Sequence, residues 1–157
     1  MTFVCVDDNR ARSTDEVLAA VLADTPDVLA SLVAASAEAW ATVDPCLLEL
    51  CRLEVAAILC CSAELDAARS AGFDEAKAAA LGSWSTSPLF DERDRACLAF
   101  TDQFVLDVAS LDDVAAQRVS DRLGAQGLVD FTNALLVIEQ RQRLRLIWER
   151  LFDESTS

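Results

Sequence analysis

Glycine and proline are nearly absent from this chain, and their scarcity decides most of what it can fold into. Four glycines and three prolines are spread over 157 residues, so few positions can make the left-handed or proline-initiated turns that a β-rich fold needs. Hydrophobic residues make up 53 % of the chain, led by alanine and leucine, which favour helix. The expectation is a single all-α domain with short connections, large enough to bury roughly 70 % of its unfolded surface.

Helix boundaries can be read residue by residue. Ser13 and Glu16 form a capping box that opens a helix to about Asp24. Thr25, Pro26 and Asp27 supply a cap, a proline in the first helical position and an acid in the first turn, for a helix to about Trp40. Asp44-Pro45 repeats the signal and opens an apolar helix that runs through Glu49 to Glu64. Gly72 and Gly82 are expected just past helix ends, with Asp74 as a cap between them. Residues 83–90 read as the one real loop. Asp91 then caps a helix to about Val108, with Ala96, Phe100 and Phe104 recurring on one face. Ser110 with Asp113 opens a helix that stops at Gly124, and the last helix runs from about Leu128 to Phe152.

Charge and composition exclude several roles. Thirteen Lys and Arg against 27 Asp and Glu give a net charge of −14, which disfavours nucleic acid and anionic membrane partners. Residues 1–8 are too short and too acidic a start for a secretory signal, and no uncharged run approaches the ~20 residues of a membrane span. The protein is expected in the cytoplasm, with its six cysteines as thiols and not as a disulfide framework. The chain has no histidine and no zinc-type cysteine spacing, so a Ser-His-Asp set is impossible and neither metal nor another cofactor is expected.

Asp44-Pro45 is followed by Glu49, Leu50 and Leu53; residues 67–72 end in Arg69, Ser70, Ala71 and Gly72. Trp84 precedes residues 87–90, then Glu92, Arg93, Ala96 and residues 98–101; residues 128–132 are followed by Gln142, Arg143 and Leu144. In order and spacing these segments resemble the alkylhydroperoxidase D-like branch of the carboxymuconolactone decarboxylase superfamily. The resemblance implies a helical bundle of about seven or eight helices, with residues 44–152 as the family core and residues 1–43 as an N-terminal helical extension. It also implies a small-molecule substrate and a homo-oligomer, most often a trimer or hexamer, with a dimer as the alternative. Glu49 stands at the family's relay glutamate, and Arg143 at the arginine of its usual Asn-Arg pair.

The family's Cys-x-x-Cys and following histidine are missing. Counting back from Gly72 puts Cys60 at the second cysteine and Glu64 at the histidine; counting forward from Glu49 puts Cys61 at the first cysteine and Glu64 at the second. On a continuous helix Glu64 neighbours both thiols, and a carboxylate there raises a thiol pKa and suppresses the thiolate that peroxide chemistry needs. Cys51 would lie ~13.5 Å from Cys60 along an unbroken helix, beyond disulfide reach. The plain alternative is that Cys46, Cys51, Cys60, Cys61 and Cys97 are small buried hydrophobes.

The carboxylates suggest a different chemistry. Glu49, Leu53, Ala57 and Cys60 share one helical stripe, and Glu54 and Glu64 lie in the same apolar stretch. A glutamate enclosed by Leu, Ile and Cys is expected to have a raised pKa, which suits general acid–base work. Glu49 is the first candidate and Glu64 the second. Arg52 either pairs with Glu49 or binds an anionic substrate; Arg143 helps shape a pocket or faces solvent; Trp84 anchors packing or touches substrate. Three functions follow. The first is a non-redox acid–base enzyme that decarboxylates, isomerises or cyclises a small organic molecule, as in specialised metabolism. The second is a thiol-dependent alkyl hydroperoxide reductase using Cys60 or Cys61. The third is a catalytically inactive scaffold.

Overall fold

Seven α-helices follow one another in the computed structural model, which describes residues 12–153 with side chains as far as Leu151. They are α1 (Thr14–Val21), α2 (Pro26–Thr42), α3 (Pro45–Leu59), α4 (Ser62–Asp66), α5 (Glu75–Ala80), α6 (Glu92–Leu106) and α7 (Asp113–Asp153). No strand occurs among the described residues. The readings made for residues 1–8 and for Cys5 lie outside the described residues.

Local signals placed most of these ends. Ser13 and Glu16 exchange side-chain and backbone hydrogen bonds at the start of α1, and the Asp44 carboxylate accepts from the Cys46 and Leu47 amides at the start of α3. Asp91 and Asp94 form a second capping box at α6. Two expected caps are different. The Thr25 hydroxyl donates back to the Leu22 carbonyl, leaving proline alone to start α2. Asp112, not Ser110, caps α7, accepting from the Ala115 amide at 2.8 Å, while the Ser110 hydroxyl is taken by Asp107. Gly72 has a left-handed φ of 80° but lies in a turn beyond the end of α4 at Asp66 and not just past a helix, and Gly82 sits inside a tight 3-10 turn, Leu81–Ser83.

Helix α3 is the axis of the molecule. Leu47, Leu48, Leu50, Cys51, Leu53 and Val55 are all buried, so apolar side chains leave the helix in nearly every direction, as expected of a core helix. It packs on α6 and α7, while α1 and α2 lean on α7. Phe100 and Phe131 meet with ring centroids 5.9 Å apart, joining α6 to α7. The helix that starts at Asp113 is interrupted at Gly124, as the sequence suggested, with φ 81° and ψ 168°, a region essentially reserved for glycine, and a second helical segment of α7 follows to Asp153.

The largest departure from the sequence reading concerns the helix that was to carry Glu49 through to Glu64. Helix α3 ends at Leu59, and Cys60 turns left-handed with φ 57°. The Cys61 amide donates to the Ala56 carbonyl at 2.8 Å and the Cys60 amide to Ala57 at 3.3 Å, the paired bonds of a Schellman cap. Glycine normally occupies and announces that position. Here a cysteine does, at a cost of about 1–2 kcal/mol, so the residue pattern hides the stop. Cys60→Gly is therefore expected to stabilise the fold by about 1 kcal/mol, a rise in melting temperature of about 2–4 °C. Thermal melts followed by circular dichroism check it; an unchanged or lower midpoint contradicts the strain.

Candidate functional site

Glu49 and Arg52, one turn apart on α3, are both buried, at 2 % and 7 % exposure. Arg52 donates to Glu49 Oε1 from Nε at 3.2 Å and from Nη2 at 2.6 Å. Its Nη1 reaches across to α4, donating to Glu64 Oε2 at 2.5 Å and to the Glu64 carbonyl at 2.7 Å. The break at Cys60 makes this possible: it swings α4 round so that Glu64 returns to face α3 instead of continuing along it. The second oxygen of Glu49 accepts from the Ser70 hydroxyl at 2.8 Å, and the Thr14 hydroxyl at the start of α1 donates to Glu64 Oε1. From α7, Gln142 Nε2 donates to the Arg52 carbonyl at 3.0 Å.

Two carboxyl groups thus share one guanidinium in a single buried cluster. It persists inside the protein because its oxygens are hydrogen-bonded. Burial works against the Arg52 charge, but the bonds and charges of Glu49 and Glu64 outweigh it, so Arg52 holds its proton more firmly than a free arginine. The sequence set Glu49 among Leu, Ile and Cys with Arg52 as one possible partner; its carboxylate has polar partners on both oxygens, Arg52 on one and Ser70 on the other.

Glu49, Arg52 and Glu64 line a hollow of about 380 Å³, bounded also by Asp15, Trp40 and Arg141. The helices expected to form an N-terminal extension therefore wall the site. At its edge Arg141 pairs with Asp15. Arg141 Nη1, Arg69 Nε and Gln142 Oε1 are buried there without a hydrogen-bond partner.

The cysteines stand apart from this hollow. Cys60 is exposed, contrary to its expected place on an apolar face, because the left-handed turn carries it off α3. Cys61 is fully buried, and burial pushes its thiol pKa up; the Glu64 amide opposes that shift and the Glu64 carboxylate adds to it. Cys51 and Cys97 are buried in the core, where burial raises Cys51 well above an ordinary thiol and Cys97 to about 12. No described cysteine is in a disulfide.

Trp84 and Arg143 do not reach the site. Trp84 walls a separate hollow beside Arg95, Ala96 and Arg118. Arg143 is exposed and bonds Glu139 Oε1 from Nε and Nη2 at 2.9 and 2.7 Å. The reason is helical phase: one residue is about 100° of rotation, so Arg141 and Gln142 turn inward where Arg143 turns out. Ser70, Thr14 and Gln142 were not singled out from sequence. Ser70 and Gln142 lay in segments that carried the resemblance, whereas nothing local to Thr14 points to Glu64, fifty positions away.

A second carboxylate pair sits under Trp84. Burial first, and the adjacent Asp102 second, push Glu54 up to about 7, with a hydrogen bond from Trp84 opposing. Burial raises Asp102 as well, offset in part by its bond with Glu54. The folded pair keeps a proton that the unfolded chain releases above pH 4.5, so its contribution is fully present below that pH and is lost as the pH climbs through about 7. With solvent screening, the stability of wild type relative to Glu54→Gln is expected to fall by about 1–2 kcal/mol from pH 4.5 to about pH 8. Urea unfolding at several pH values measures it; a pH-independent difference contradicts the shared proton.

No helix among the described residues is long and apolar enough to cross a membrane. The sequence matches no family model and no curated protein. The fold, however, has a solved counterpart. A protein of unknown function from Agrobacterium tumefaciens, provisionally assigned to antioxidant defence as AhpD, superposes with a TM-score of 0.71 at 19 % identity, over 80 % of this chain and 90 % of that one. The chain has the alkylhydroperoxidase D-like helical fold.

Proposed function

From that fold and the buried cluster at its centre, we propose that the protein is a non-redox acid–base enzyme acting on a small organic molecule by decarboxylation, isomerisation or cyclisation, in specialised metabolism. The observation that carries this reading is Glu49, a carboxylate gripped by Arg52 on one oxygen and by Ser70 on the other, at the wall of a hollow large enough for such a molecule. General-base catalysis depends on geometry before pKa, and this carboxylate is held in one orientation. Glu49 Oε2 takes a proton from a substrate carbon, with the Ser70 hydroxyl fixing the direction of its free lone pair. Arg52 holds the other oxygen of Glu49, and Glu64, itself held by Thr14, keeps Arg52 in place. A hollow around Glu49 counts against an inert scaffold.

The test needs no knowledge of the product. In heavy water, the protein is expected to catalyse hydrogen exchange at acidic carbons of small β-keto acids and unsaturated lactones, followed by proton NMR, and Glu49→Gln is not. Equal exchange by wild type and Glu49→Gln overturns the mechanism.

One observation favours a thiol-dependent hydroperoxide reductase instead: Cys60 reaches solvent. Against it stand the burial of Cys61 and the upward push on its thiol. Consumption of an organic hydroperoxide with dithiothreitol, abolished by Cys60→Ser or Cys61→Ser, would favour that alternative. We place the protein in the cytoplasm, where free thiols persist, and as a homo-oligomer, for which the exposed Val129, Leu136, Ile147 and Leu151 of α7 offer an apolar contact face.

A further inference from the structure

A second hollow, of about 480 Å³, lies beside the first between α1 and α2, and away from the junction of the two it is lined by Leu18, Ala19, Leu29, Val33 and Ala37. The two hollows meet at Asp15, Ser36, Trp40 and Arg141, which line both. Their chemistry is opposite: carboxylates and guanidinium groups on one side, aliphatic and aromatic carbon on the other, with a cation at the junction. The Arg141 side chain is 12 % exposed and that of Asp15, its ion-pair partner, is 78 % exposed. Arg141 Nη1 has no hydrogen-bond partner. An exposed aspartate is weakly held, so an incoming carboxylate can displace it and take the arginine.

We propose that the substrate is a carboxylic acid with an apolar tail, its carboxylate on Arg141 at the junction, its reacting carbon toward Glu49 and its tail in the hollow between α1 and α2. This deepens the acid–base reading and rests on it for the reacting carbon alone; the binding mode stands on the two hollows. Helices α1 and α2 are then the specificity-determining part of the molecule.

Calorimetric titration with butyrate, hexanoate and octanoate tests it, with octanol as the uncharged control. Affinity is expected to rise roughly fourfold per added methylene. Arg141→Gln weakens octanoate about tenfold or more and leaves octanol unchanged, whereas Asp15→Asn tightens octanoate by freeing the arginine. Leu29→Ser, at a partly buried position, flattens the dependence on chain length, with circular dichroism confirming that the variant is folded. Affinity independent of length, or equal effects of Arg141→Gln on acid and alcohol, overturns the proposal. Binding is read without turnover, so the outcomes separate. Length-dependent binding with no hydrogen exchange removes the acid–base reading alone, and flat binding with intact exchange removes only the tail site.

Discussion

Arg52→Met is expected to lower the stability of the protein by about 3–5 kcal/mol, the usual result of stripping one partner from a buried ion network. Methionine replaces the aliphatic stem of the arginine and part of its packing but not the guanidinium, so most of the loss reports on charge. Without the guanidinium, Glu49 Oε1 loses two donors and Glu64 Oε2 one, and two carboxylates are left facing each other behind 2 % exposure at Glu49. The melting temperature should drop by about 10 °C. The triple variant Glu49→Gln, Arg52→Met, Glu64→Gln separates this cause from simple loss of packing, because neutral amides remove the repulsion. It is expected to recover most of the lost stability. A triple variant no more stable than the single one assigns the loss to packing and removes the charge argument.

Glu49→Gln has the second large effect, on rate. An amide at this position keeps the size and the Ser70 contact but cannot take a proton, so exchange at the substrate carbon is expected to fall about 10²–10⁴-fold, the span attributed to a positioned general base. Glu64→Gln supplies the comparison. Glu64 bonds Arg52 and Thr14 and not Ser70, so its loss should loosen Arg52 and reduce exchange by a smaller factor. Equal losses in the two variants would mean that Glu49 is one more strut of the network and not the base.

Much of this site was legible before any fold was known, for a particular reason. Glu49 and Arg52 are one turn apart, and neighbours on a helix can be inferred from spacing alone. Their burial followed from the apolar residues around them. Glu64 was also chosen, but on the wrong geometry. It reaches Arg52 because α3 stops at Cys60 and the chain doubles back, not because the helix continues. That stop depends on a left-handed cysteine sealed by the buried Cys61 that follows, and no local pattern announces it. Arg143 was placed by its resemblance to the family's arginine, whereas the buried stripe Phe131, Leu135, Ile138, Gln142 and Arg145 runs at helical spacing and leaves Arg143 on the outer side.

What the sequence determined by itself was everything short-range: the all-helical class, the capped starts of α1, α3 and α6, and the pairing of Glu49 with Arg52. Each is settled within a few residues by hydrogen bonds and sterics. What only the tertiary structure decided was everything joining distant positions. Thr14 against Glu64, Ser70 against Glu49, Gln142 against the Arg52 backbone and Asp15 against Arg141 all depend on how helices pack. Helix packing is governed by burial of apolar area, which is roughly proportional to area and blind to direction. The sequence can say that α1 and α2 will be buried against something; only the folded chain says that they close over Glu49.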